Sequence, residues 1–167
     1  EISGNTLRLI KAFDFEFTTN YTVVVEATDR GTPSLCANGT EAFKILINVT
    51  DANDFYPEFS GNYSVEITRP LEVGTVLLTA NVSDEDSTAP NNEVVFDIAL
   101  GLGDSELDEN FSINATTGEL SLTTGLDRGD AGEILIMIRA TDQAAIESER
   151  LATLQNVSIL IVEPPTP

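Results

Sequence analysis

Asp51-Ala52-Asn53-Asp54-Phe55-Tyr56-Pro57-Glu58-Phe59 sets three oxygen-bearing side chains within four positions, just ahead of a proline. Calcium takes about six to eight oxygen ligands at roughly 2.3–2.6 Å, drawn from carboxylates, amide carbonyls and backbone carbonyls. The segment offers donors of that class and neither sulfur nor imidazole. It also lies between two strand-rich blocks. An ion held here would fix how one block is angled against the next, which points to a mechanical role.

On either side of this hinge, period-2 alternation dominates. Tyr21–Ala27, Phe43–Val49, Tyr63–Ile67, Glu133–Ala140 and Val157–Val162 are the examples, each with apolar residues at every second position, and no segment carries a helical stripe. Short strands rich in Val, Ile, Thr and Phe are broken by Gly-Thr-Pro, Asn-Gly and Thr-Gly. The pattern predicts an all-β chain of tandem Greek-key antiparallel β-sandwiches. Trp is absent and Cys36 is the lone cysteine, so the Cys, Trp and Cys spacing of an immunoglobulin domain is missing.

The chain also repeats itself. Ala27-Thr28-Asp29 returns as Ala140-Thr141-Asp142, Phe13-Asp14-Phe15-Glu16 as Leu126-Asp127-Arg128-Gly129, and Leu7-Arg8-Leu9 as Leu120-Ser121-Leu122, each at an offset of 113 residues. A repeat of that length is a whole domain. The expected organisation is therefore residues 1–54 as the later part of one domain with its linker. Residues 55–163 form a complete domain, and residues 164–167 the start of a proline-rich linker.

Composition narrows the function. Twenty-eight acidic against eight basic residues give a formal charge of −20, which disfavours nucleic acid and anionic membranes and favours cations. An apolar share of 41% is too high for a disordered acidic chain. Eight Asn-x-Ser/Thr sequons, at Asn20, Asn38, Asn48, Asn62, Asn81, Asn110, Asn114 and Asn156, point to the secretory pathway. Cys36 cannot close an internal disulfide, so the fold must rest on its core or on metal. With no histidine, the usual neutral-pH acid–base group is missing. Asp84 with Asp86, and the cluster Asp104, Glu106, Asp108 and Glu109, read as solvated loops, because no apolar pocket surrounds them to raise a carboxyl pKa. Asn38-Gly39-Thr40 is a turn and a sequon, not a phosphate loop. An enzyme is not expected.

Together these residues resemble two successive cadherin repeats. The family linker Asp-x-Asn-Asp-x-x-Pro-x-Phe stands here as Asp51 to Phe59, the Asp-x-Asp pair as Asp84-Glu85-Asp86, and the asparagine after it as Asn91, ahead of Val94 and Phe96. The Ala-x-Asp motif is Ala140-Thr141-Asp142, and the Leu-Asp-Arg-Glu type of motif is Phe13-Asp14-Phe15-Glu16. The resemblance implies calcium at the junction. Asp14 and Glu16 would serve from the first repeat, Asp51, Asn53 and Asp54 from the linker, and Asp84, Asp86, Asn91 and Asp142 from the second. Backbone carbonyls of Ala52 and Phe55 would complete the shells. So many carboxylates gathered at one hinge would repel one another unless divalent ions neutralised them.

Departures from the family pattern fall at the other end of the second repeat. Thr68-Arg69-Pro70 stands where a bridging glutamate is usual, Gly129 replaces an acid, and Val162 runs into Glu163-Pro164-Pro165-Thr166-Pro167 in place of Asp-x-Asn-Asp. That end is expected to bind calcium poorly or not at all. The matching glutamate of the first repeat would lie upstream of Glu1. The resemblance implies a calcium-dependent extracellular adhesion or tethering module, part of a single-pass membrane protein at the cell surface. Its partners would be calcium, neighbouring repeats of the same chain and a homophilic or heterophilic protein. The alternative is an ectodomain spacer that presents a docking surface to a heterologous ligand. The missing Trp excludes strand-swap adhesion through a Trp anchor in this stretch.

Overall fold

Alternating residues become strands because only one face of each can be buried, and fifteen strands form among the described residues, 1–3, 6–37, 42–99, 110–126 and 132–162, of the computed structural model. The chain divides into two units, Glu1–Ala52 and Asn53–Pro167, with the division inside the Asp51–Phe59 segment. The expectations placed on Asn38, Asp104, Glu106, Asp108, Glu109, Asp127, Gly129 and residues 163–167 lie outside the described residues.

The first unit holds β1 (Ile2–Ser3), β2 (Thr6–Leu7), β3 (Asn20–Val25), β4 (Ala27–Thr28), β5 (Cys36–Ala37) and β6 (Phe43–Asn48). They pair antiparallel as β1 with β2, β3 with β6 and β4 with β5. Phe13 stacks on Tyr21 with centroids 4.5 Å apart. None of the described residues of this unit is buried. A largely apolar groove of about 380 Å³ is lined by Leu7, Leu9, Ile10, Phe13, Val23 and Ile47, with Glu1, Arg8 and Lys11 beside them.

The second unit is a two-layer sandwich. It contains β7 (Glu58–Ser60), β8 (Ser64–Thr68), β9 (Val76–Thr79), β10 (Asn81–Ser83), β11 (Val94–Ala99), β12 (Phe111–Ile113), β13 (Glu119–Leu122), β14 (Gly132–Asp142) and β15 (Ala152–Val162). One sheet runs β11-β14-β15-β8; β12-β13-β9 and β7-β10 supply the other strands, and a single 3-10 turn spans Glu147–Glu149. The pairing is antiparallel throughout this unit except that β8 runs parallel to β15. The first strand switches sheets to reach that edge. β7 pairs with β10, the chain turns at Gly61 (φ 107°), and β8 then pairs with β15. Tyr63 holds the corner: it is buried, its hydroxyl accepts the Asn81 N–H at 3.0 Å, and its ring meets Phe59 edge-on at 5.6 Å.

The core follows from the alternation. Ile134, Ile136, Ile138 and Ala140 of β14 and Val157, Ile159 and Ile161 of β15 point inward, where they meet Leu120 and Leu122 of β13, Phe96 and Phe111. Burying each large aliphatic side chain contributes roughly 1.5–3 kcal/mol. One glycine is essential to the layering. Gly118 sits at φ 70° in the turn between β12 and β13, and a Cβ there would stand 3.1 Å from the Ala80 carbonyl oxygen and 3.2 Å from the Phe96 ring. Its own carbonyl accepts the Ala80 N–H at 2.9 Å, which ties this turn to the joint between β9 and β10. Gly118→Ala is expected to destabilise the second unit by roughly 1–3 kcal/mol, from the positive φ and the backbone clash together. Thermal unfolding checks this; a variant melting with the wild type would contradict it.

Candidate metal centre

One end of the second unit gathers its acids around Asp142, the last residue of β14. Its carboxylate is fully buried, with 0% exposure. Oδ1 accepts the Ala144 N–H at 3.0 Å, and Oδ2 accepts the Leu151 N–H at 2.7 Å and the Asn53 amide at 2.9 Å. The backbone continues the closure, since the Asp142 N–H donates to the Leu151 carbonyl at 3.0 Å. A carboxylate can close a loop in this way because each N–H to an ionised acceptor makes a strong hydrogen bond.

The same device occurs in the first unit at the position that repeats it. Asp29 Oδ1 accepts the Gly31 N–H at 3.0 Å and the Leu35 N–H at 2.8 Å, while the Asp29 N–H donates to the Leu35 carbonyl at 2.9 Å. These bonds, from Leu35 first and then Gly31, hold the Asp29 carboxyl below its ordinary value. The internal duplication thus extends from sequence to hydrogen-bond pattern.

Asn53 acts differently from a simple oxygen donor. Its amide nitrogen donates to Asp142 Oδ2 at 2.9 Å and to the Glu149 carbonyl at 2.8 Å, pinning the linker to the loop after β14. Its Oδ1 is left buried without a hydrogen bond. Asp84 is similar: its Oδ1 accepts the Asp86 N–H at 3.0 Å, and its Oδ2 is buried and unbonded. Burial first, and the nearby Asp142 charge second, push the Asp84 carboxyl above its ordinary value. Asp86 is itself buried, at 2% exposure, and its Oδ1 accepts the Asp54 N–H at 3.4 Å.

The remaining sequence-predicted residues take varied positions. Asn91 is half-buried in the turn before β11, its N–H on the Thr88 carbonyl at 3.0 Å, and Val94 just beyond is the register partner of Asp142. Asp54 and Ala52 are exposed, and Phe55 is half-buried. In the first unit Asp14 is exposed and caps its own turn by accepting the Phe17 N–H at 3.0 Å. Glu16 and Asp51, both half-buried, bring carboxylate oxygens within 4.8 Å of each other, and Glu16 Oε1 is buried without a hydrogen bond. Sequence reasoning missed Glu149 and Leu151, because they act through backbone groups that no side-chain pattern marks.

The donors fit a hard cation. Buried acceptor oxygens without donors, on Asn53 and Asp84, are costly in a protein and are the groups a calcium ion would satisfy. A family model for the cadherin domain matches residues 63–160. The chain belongs to the cadherin family. Protocadherin alpha-5 of Pan troglodytes is 36% identical over 147 residues, which is 86% of this chain and 15% of that protein. Protocadherin-16 of Mus musculus is 30% identical over 146 residues, 87% of this chain and 4% of that protein. The chain therefore spans a small part of these curated relatives. Among solved structures, mouse Cadherin-23 EC22-24 matches with a TM-score of 0.72 at 25% identity, over 91% of this chain and 45% of that one. Protocadherin Gamma B2 extracellular cadherin domains 1-5 match with a TM-score of 0.77 at 22% identity, over 93% and 28%, a likeness of fold. The cadherin match falls wholly within the second unit.

Two outcomes follow for the metal-free protein. Asn53→Ala is expected to lower its stability in chelator by about 1.5–3 kcal/mol, the range for a hydrogen bond to a charged acceptor. Chemical unfolding in chelator measures this, and an unchanged midpoint would show the latch to be idle. Asp84→Asn is expected to melt higher than wild type at neutral pH in chelator. The fold raises the Asp84 pKa, so its charged form destabilises the native state; that penalty is relieved as pH falls through the raised value and is gone below the ordinary 3.8. The gap between the two melting curves should therefore close on acidification, and a gap that widened would refute the assignment.

Proposed function

We propose that the chain is part of a calcium-dependent adhesion ectodomain, in which calcium ions stiffen the junction between successive cadherin repeats. The observation that carries this reading is the pair of buried, donorless oxygens on Asn53 and Asp84 beside the buried carboxylates of Asp86 and Asp142. In this reading Asp84, Asp86, Asn91 and Asp142 of the second unit act with Asn53 and Asp54. Asp14, Glu16 and Asp51 act from the first unit, with the carbonyls of Ala52 and Phe55. Residues 1–54 then supply the end of one repeat and its linker, residues 55–163 a whole repeat, and residues 164–167 the start of the next connection.

The far end of the second unit is assigned no ion. Arg69 is buried there, its N–H on the Val162 carbonyl at 3.3 Å, and a guanidinium opposes a divalent cation. Adhesion relatives make a second cadherin chain the favoured protein partner. The location is the cell surface, within a single-pass membrane protein whose sequons meet the glycosylation machinery. The rival reading, a spacer that displays a docking surface to an unrelated ligand, has no observation of its own.

Calcium titration with small-angle scattering tests the proposal. The profile is expected to sharpen to that of a stiffer particle in millimolar calcium and to broaden on chelation. Asp86→Ala is expected to lower the calcium affinity about tenfold or more, which corresponds to about 1.4 kcal/mol. Identical profiles with and without calcium would sink the reading.

A further inference from the structure

The outer face of the sheet β11-β14-β15-β8 is apolar at its centre, although the chain as a whole carries a formal charge of −20. On β14 the outward residues include Leu135 and Met137, and on β15 they include Leu154, Asn156 and Leu160. Leu135, Leu154 and Leu160 are 44, 54 and 41% exposed. Met137 is the register partner of both Asn156 and Ala99. Charged residues border it: Arg139, opposite Leu154, binds Asp97 Oδ2 through Nη2 at 2.9 Å, while Glu133 and Glu66 stand opposite Leu160 and the Ser158 hydroxyl donates to Glu133 Oε1 at 2.6 Å. Leu135 and Met137, two residues apart on the outer face of β14, leave apolar surface at the centre of the sheet that a partner or a cover would protect.

Asn156 stands in the middle of this patch and heads the sequon Asn156-Val157-Ser158. Val157 is fully buried, so strand alternation turns Asn156 outward. Other sequon amides are engaged within the fold, such as Asn81 on Ser60 Oγ at 2.8 Å and Asn20 on Thr19 Oγ1 at 2.9 Å. The Asn156 side chain makes no hydrogen bond among the described residues, so substitution on its nitrogen displaces nothing.

We propose that Asn156 carries an N-linked glycan whose innermost N-acetylglucosamine lies over Met137, Leu135 and Leu154, covering this face against pairing with another protein. The covalent step uses a lipid-linked oligosaccharide. The Asn156 amide nitrogen attacks the anomeric carbon, a C–N bond forms as the C–O bond to the lipid pyrophosphate breaks, and the nitrogen gives up one proton. A pyranose suits the place because its C–H face can lie on leucine and methionine while its hydroxyls stay in water. The glycan adds bulk and solubility over the leucine and methionine side chains between those charges. This rests on the extracellular reading above.

Met137 is the only methionine in the chain, which makes it a single-site reporter of the cover. The chain would be secreted from mammalian cells, its glycopeptides mapped, and Met137 sulfoxide formation in dilute peroxide timed. Asn156 is expected to be occupied, and Met137 to oxidise severalfold more slowly than in N156Q. Trimming with an endoglycosidase that leaves one N-acetylglucosamine should keep most of that protection. An unmodified Asn156 beside an occupied Asn114 would overturn the proposal and leave the extracellular reading standing, whereas no occupied sequon would overturn both. Equal oxidation rates, or full loss of protection on trimming, would also overturn it. Protection in N156Q that grows with protein concentration would show instead that this face joins two copies of the chain.

Discussion

Asp142 is the constraint on which the second unit turns. A carboxylate with no exposure survives only because three N–H groups saturate it, and those three come from three separate pieces of chain: Ala144, Leu151 and Asn53. Satisfying one buried charge therefore fixes the end of β14, the start of β15 and the linker at once. The cost is that Asp84 and Asp86 are held near an anion that cannot move away. Desolvation and the Asp142 charge together raise the Asp84 pKa, so the fold keeps this end electrostatically uncomfortable until something positive arrives.

The contrast with Asp29 shows that environment, and not residue type, sets this behaviour. Asp29 makes equivalent backbone hydrogen bonds, but it is exposed, so the bonds lower its pKa with little opposing desolvation. One motif duplicated at a fixed interval thus gives a relaxed turn in the first unit and a charged, water-poor corner in the second. The difference comes from what covers the loop. In the second unit the Asn53 amide bonds the carboxylate, and Asp84 stands near enough to feel its charge.

Five strands, β3, β6, β8, β14 and β15, were legible in the sequence because apolar residues at every second position record which face is buried. Glu133–Ala140 and Val157–Val162 were readable for this reason, and they carry the inward rows Ile134, Ile136, Ile138 and Val157, Ile159, Ile161. Alternation says nothing about partners, however. The parallel pairing of β8 with β15 depends on the chain changing sheets at Gly61, a decision made by packing at Tyr63 over a long sequence separation. At the acidic end the residue types were legible and their division of labour was not. Asn53 carries a donor and an acceptor on one amide, and only the surrounding carbonyl and carboxylate decide which atom faces inward.

The two ends and the faces of the second unit answer different problems with different chemistry. Strand edges and apolar faces invite association, while clustered carboxylates oppose it. At the Asp142 end the repulsion is concentrated where a divalent ion can convert it into cohesion. Binding there stabilises whatever state holds the oxygens together, by about 2.7 kcal/mol when the ion is a hundredfold above its dissociation constant. On the sheet face β14 and β15 present leucine and methionine, and no ion can help. In the proposed reading, cohesion at the acidic end is set by the calcium around the chain, and cohesion at the face by a glycan on Asn156. A domain built this way can be stiff along its length and inert on its flank, because the two controls act on groups that share no hydrogen bond.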